Sequence, residues 1–231
     1  MGAWVAVFCV LLGALLGAFS GFVTTRFFVP SFISTLAVGG VAFSVAQWLS
    51  GQRSVSMDAA QRDALFGWMI GRTAGIPHEL VIAAVLLFIC WFIERRTVIG
   101  RNLKAIGAGE LAAVASGVSV SKYKIAAFAL SGGLAAFAGL LFAVKLSGGA
   151  PSVANGFLLP AIVAVLVGGT PLTGGVGGVV NTMIGTLIVA VIRASMLYLD
   201  VNATQQQMFF GLILIAAIAL TIDRSKLRIV K

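Results

Sequence analysis

The sequence predicts an all-α fold, a polytopic helical membrane protein of about seven spans or half-spans with one short amphipathic helix in a polar loop. Three observations carry this. Of 231 residues, 60% are hydrophobic and only 10% charged, and the mean hydropathy of +1.08 lies outside the range of ordinary water-soluble domains. Apolar runs close to the roughly 20 residues that cross a bilayer recur along the chain. The 16 lysines and arginines gather beside those runs, with no nucleic-acid recognition motif among them, so the net charge of +9 reads as membrane topology. The 28 glycines are scattered through apolar runs without a three-residue period, which excludes collagen and favours close helix packing.

Seven segments qualify: Ala3–Val23, Phe32–Leu49, Leu80–Ile93, Ile125–Leu146, Phe157–Val167, Val179–Leu199 and Gln207–Ile222. The first lacks the basic n-region of a signal peptide and is long enough to span, and "MGAWVA" fails the myristoylation pattern at Ala6. The third is short. The fifth, "FLLPAIVAVLVGG", is short, carries Pro160 and ends on paired glycines, which is the pattern of a broken helix buried against protein. Cys9 and Cys90 lie within apolar runs without metal-ligand spacing and read as packing residues.

Alternating the spans places Arg26, Arg95, Arg96, Arg101, Lys104, Lys122, Lys124, Arg224, Lys226, Arg228 and Lys231 on one side, eleven in all. The other side holds three, Arg53, Arg62 and Arg72, offset by Asp58, Asp63 and Glu79. Short basic loops stay in the cytoplasm, so the C-terminus is expected inside and Met1 outside. An odd number of further spans before Met1 would restore the usual arrangement. The loop of about 50–78 is then exterior, with "ALFGWMIG" flat at the interface and Trp68 at headgroup depth. Its carboxylates read as solvation rather than glycosidase chemistry. His78, the one histidine, lacks companions for a metal site.

The cytoplasmic loop of about 94–124 contains the least greasy stretch between long runs, "GAGELAAVASGVSVSKYK". Leu111, Val114, Ala115 and Val118 fall at i, i+3, i+4 and i+7, one face of a two-turn helix, with Gly109 as N-cap, Glu110 at the positive N-terminus and Gly117 as its stop. Such a helix either rests at the membrane interface or docks on a partner. The likeness of "GAGELA" to a dinucleotide fingerprint is discarded, since no strand precedes it. A second stretch, "LVGGTPLTGGVGGVVNTMIGTLIVAVI", lacks the Lys-Ser or Lys-Thr of a phosphate loop. A tight turn between packed helices fits better, with Gly174, Gly175, Gly177 and Gly178 free to take positive φ and Gly185 continuing a small-residue face.

These two stretches resemble the permease subunits of bacterial ATP-binding-cassette sugar importers, the ribose/xylose/galactose permease family. In that family the cytoplasmic loop reads approximately G-G-N-E-E-A-A-R-L-S-G-I-N-V, matched here at Glu110, Ala112, Ala113, Ser116, Gly117 and Val120. A later G-G-T-S-L-S-G-G-R-G is matched at Gly168, Gly169, Thr170, Leu172, Gly174, Gly175 and Gly177. The resemblance runs from about Gly13 to Asp223. It implies one permease domain over residues 1–231, lodged in the bacterial inner membrane and short of about three spans at its N-terminus. It further implies a coupling helix at Glu110–Val118, formed by Glu110, Leu111, Ala112, Ala113, Val114, Ser116, Gly117 and Val118, that seats in a groove of an ABC ATPase subunit. A second permease chain and a periplasmic solute-binding protein complete the expected assembly, and ATP is bound by the partner rather than by any cofactor site here.

The chain departs from that pattern at Leu111 and Val114, where the family has Glu and Arg. It departs again at Leu158, Leu159 and Pro160 in place of an acidic pair, and at Arg193 in place of Asn. Arg193 reads either as a translocation-path residue that hydrogen-bonds a polyol or as an arginine snorkelling to the outer interface. Asn181, Gln47 and Asn155 are the other candidate solute contacts. Two other classes compete: an ion- or proton-coupled secondary transporter, disfavoured because no span contains an internal Asp, Glu or His, and a membrane scaffold or fragment that transports nothing.

Overall fold

A computed structural model describes residues 2–73, 75–171 and 174–221. The basic tail at Arg224, Lys226, Arg228 and Lys231, and Leu172 of the glycine-rich stretch, lie outside the described residues. The chain divides into two compact units, one containing residues up to Phe88 and then Glu110–Val153, the other Ile89–Gly109 and the chain from Ala154 onward.

The first unit is built on two long helices, α1 (Gly2–Phe27) and α7 (Val120–Lys145), each 26 residues and so about 39 Å long, enough to cross a bilayer with tilt. They pack through small residues. Gly13, Gly17 and Gly21, spaced one turn apart on α1, meet Phe128, Gly132 and Ala136 of α7 so closely that a Cβ on any of the three glycines would overlap α7. With lipid outside offering no hydrophobic advantage, close backbone approach is what holds such helices together. α2 (Ser31–Leu49) starts after Pro30, whose fixed φ suits a helix entrance, and is joined to α1 by the Thr24–Ser34 hydroxyl pair. Large side chains such as Trp4, Phe8, Phe32 and Trp48 point outward from α1 and α2, as lipid-facing residues do.

The expected exterior loop is more structured than the sequence reading allowed. α3 (Ala59–Ile70) does not merely lie flat. It buries Phe66 and Met69 against Val144 of α7 while Trp68 stays exposed. β1 (Val55–Ser56) pairs antiparallel with β4 (Gly148–Gly149), and β2 (Arg72–Thr73) with β3 (Ile76–Pro77). Arg62 bridges to Ser147 at 2.6 Å, and Lys145 pairs with Glu79 at 2.7 Å. The segments after α2 and after α7 therefore lie together.

α4 (His78–Arg96) is 19 residues long, beyond the 14 expected, because its charged ends, Glu79 and Glu94–Arg96, remain helical on either side of the apolar Leu80–Ile93 stretch. In the second unit, α5 (Val98–Ala108) begins at the cap Thr97. α8 (Leu158–Val167) follows a 3-10 turn over Pro151–Phe157, and α9 (Val179–Tyr198) and α10 (Ala203–Thr221) complete the fold. Its core is Val163 and Ala164 of α8, Val189 of α9 and Phe210 of α10. α8 is only 10 residues, about 15 Å, half a bilayer, and four of them are buried against protein, in keeping with a broken helix. Among the described residues, four helices are long and apolar enough to span by themselves: Trp4–Phe27, Ser31–Leu49, Val120–Lys145 and Val179–Tyr198. Pro151–Val167 and Ala203–Ala219 are shorter apolar helical segments.

Candidate functional site

The segment expected to dock forms α6 (Glu110–Ala115), one residue after α5 ends. It is shorter than the Glu110–Val118 helix expected. Gly117 takes φ +80°, its N–H bonds the Val114 carbonyl and the Val118 N–H bonds the Ala113 carbonyl, so Ser116, Gly117 and Val118 form the terminating turn rather than a second helical turn. Gly109, expected as N-cap, is extended and ends α5, its N–H bonded to the Ala105 carbonyl. Glu110 stands at the α6 N-terminus and pairs with Lys124 of α7 at 2.7 Å. Around α6, Ala113 is 4% exposed, whereas Leu111 is 88% and Val114 57% exposed. Ala112 and Ser116 are exposed too, and the Ser116 hydroxyl donates back to the Ala112 carbonyl. One small residue anchors the helix, and two apolar side chains project from it.

In the second unit, Gly168 and Gly169 end α8, Gly169 at φ +79°. Gly174, Gly175 and Gly177 take φ +81°, +79° and +100°, as the turn reading expected. Gly178 does not, at φ 164°. A Cβ there would displace the Glu94 carboxylate from its present position. Gly185 leaves room for the Ala164 carbonyl and Gly168, so α8 and α9 meet at backbone distance.

Glu94 is the residue that sequence reasoning missed. Its Oε2 accepts from the Val179 N–H at 2.7 Å, closing the N-terminus of α9, and its Oε1 pairs with Lys104 of α5 at 2.7 Å. Glu94 sits past the apolar part of α4, and its carboxyl titrates below the ordinary value. Burial pushes it up, but the hydrogen bonds from Lys104 and Val179 and the positive charges of Lys104 and Arg95 outweigh that. Thr97 caps α5, accepting from the Gly100 N–H at 3.4 Å, and Gly100 lets the Glu94 backbone approach. Further along α5, Gly107 and Ala108 lie against Gly174 and Gly175 with no space for a side chain at Gly107 or Gly175. The one sequence signal for this was the glycine at position 107, to which the reading of the loop gave no role.

The expected path residues do not form one cluster. Arg193 lies in α9 with its guanidinium 4.5 Å from the Phe157 ring, a cation–π contact. Asn155, two residues before Phe157, is exposed in the 3-10 turn. Asn181 is exposed near the opposite end of α9, about 18 Å away along the helix axis, with its carbonyl against Gly168. Gln47 is partly buried near the end of α2 in the other unit. His78 bonds the Trp68 carbonyl through Nδ1 and the Thr73 hydroxyl through Nε2, a structural role. Among the described residues, no group of three or more His, Cys, Asp or Glu is placed to hold a metal ion.

Residues 1–218 match a protein family described as the permease component of the branched-chain amino acid transport system. The ribose import permease protein RbsC of Escherichia coli (strain K12) is 34% identical over 220 residues, covering 94% of this chain and 68% of the relative. The xylose transport system permease protein XylH of Haemophilus influenzae is 38% identical over 159 residues, 69% of this chain and 42% of the relative. The probable ABC transporter permease protein YphD of Escherichia coli is 35% identical over 192 residues, 83% of this chain and 57% of the relative. No solved structure gives a significant match. With apolar helices able to cross a bilayer and a family match over almost its whole length, the chain belongs to the branched-chain amino acid transport system permease family, a family of multi-pass membrane transport components.

Proposed function

We propose that this chain is the membrane-embedded subunit of an ATP-driven importer for a sugar or a similar polar solute in the bacterial inner membrane. It works as a dimer with cytoplasmic ATPase subunits and an external solute-binding protein, and ATP is bound by the ATPase. The relatives named for ribose and xylose support the solute class. The observation that carries the mechanism is the exposed apolar edge of α6, Leu111 and Val114, on a helix whose Ala113 is buried and whose Glu110 pairs with Lys124 of α7. Two exposed side chains on a six-residue helix give little membrane affinity, whereas small residues around an apolar edge suit a protein groove.

In this account the loop of about 94–124 and the C-terminus face the cytoplasm, and the loop of about 50–78 faces outward. The ATPase pair closes, α6 moves with it, and the path through the helices opens to one side and then the other. Arg193 and Asn155 would meet solute hydroxyls near one end of α9 and Asn181 near the other. Uptake of radiolabelled D-ribose and D-xylose into proteoliposomes holding this chain, its cognate ATPase and the binding protein tests the proposal. ATP-dependent uptake of either sugar supports it; an absence of ATP-dependent uptake of both overturns the sugar assignment.

A further inference from the structure

We propose that Glu94 is a positioning residue that fastens the glycine-rich turn and the start of α9 to α5, so that a displacement of α5 reaches α9 instead of being absorbed by the turn. This rests on reading α6 as the docking element. A turn with glycines at positive φ at positions 174, 175 and 177 is by composition the most compliant point between α8 and α9. Left alone, it would yield to any push. Three contacts remove that compliance. Glu94 closes the Val179 N–H, the Glu94–Lys104 pair ties the same carboxylate to α5, and Gly107 and Ala108 press on Gly174 and Gly175 without intervening side chains. Both carboxylate oxygens are thus engaged, one on each element it joins. Charge-assisted hydrogen bonds of this kind are shorter and about twice as strong as neutral ones.

Chain connectivity supplies the other half of the argument. Gly109 alone separates α5 from α6 along the chain, and its N–H is held by the Ala105 carbonyl. The glycine at 107 has its explanation here: any side chain would push α5 off the turn.

Hydrogen exchange at the Val179 amide reads the fastening directly. In the detergent-purified chain, Glu94→Ala should speed that exchange on the order of tenfold, as expected for loss of one charge-assisted hydrogen bond. Glu94→Gln, whose amide oxygen still accepts from Val179, should restore most of the protection. Unchanged exchange in Glu94→Ala overturns the fastening, whatever the ATPase does. With the cognate ATPase bound, ATP and vanadate should alter exchange across 174–182 in the parent chain. In Glu94→Ala that response should be lost while ATPase capture stays equal. A response of parent size in Glu94→Ala overturns the transmission role, and capture on the same samples tests the docking reading separately.

Discussion

Gly17 of α1 lies against the main chain of Phe128 in α7 so closely that a side chain at position 17 would overlap the Phe128 carbonyl oxygen. Gly13 and Gly21 repeat the relationship one turn away on either side. Gly17→Val should therefore force α1 off α7, at about 1–3 kcal/mol for overpacking and more if the helices part. Gly39→Val in α2, where a Cβ meets nothing, is the matched control. Thermal unfolding in detergent should show a lowered midpoint for the first and little change for the second; equal midpoints would refute the packing account.

The Glu110–Lys124 pair is largely exposed, and pairs of that kind are worth about 0–1 kcal/mol. Glu110→Gln should leave the unfolding midpoint nearly unchanged and further weaken with salt whatever small difference exists. A large drop would mean that α6 is held by charge rather than by Ala113.

Acid should release the Glu94 fastening. Because its folded carboxyl titrates below the ordinary value of 4.5, its stabilisation is complete above that value and is lost as pH falls through the lowered one. The gap in unfolding midpoint between the parent chain and Glu94→Gln should stay constant from neutral pH to about 5 and close below 4.5. A gap that widens on acidification would reverse the sign.

Arg193 and Phe157 give a fourth test. Phe157→Leu removes the aromatic face and should cost about 0.5–1 kcal/mol in stability. If Arg193 also contacts solute, Arg193→Lys should raise the KM for uptake more than it lowers kcat. Equal stability of Phe157→Leu and parent would show the ring contact to be incidental.

Much of the architecture was legible because the bilayer leaves few choices. Apolar runs had to be helices, and Pro160 with Gly168 and Gly169 had to mark a broken one, whereas the pairing of the 50–78 segment with the end of α7 was not read from the sequence. The glycine-rich turn was also read correctly at Gly174, Gly175 and Gly177, since φ freedom is a local property. The stop at Gly117 was read correctly, but the helix was drawn on to Val118 because Val118 falls on the same periodic face, and periodicity does not report that Ser116–Val118 is already the terminating turn. Glu94 was invisible for a different reason. Its partners Lys104 and Val179 are 10 and 85 positions away, and nothing local distinguishes it from the other charges at the end of α4. The Gly13, Gly17 and Gly21 spacing was there to be read, but which face of α7 it meets is a tertiary fact.

Docking through α6 is most directly tested by capture of the cognate ATPase on the detergent-purified chain, comparing parent, Leu111→Arg and Gly39→Ala. Leu111 is exposed, so its substitution spares the fold, unlike Gly117→Arg, which would strain a residue at φ +80°. The account predicts that Leu111→Arg loses the ATPase at an unchanged unfolding midpoint while Gly39→Ala retains it. Equal capture by Leu111→Arg and the parent would contradict it.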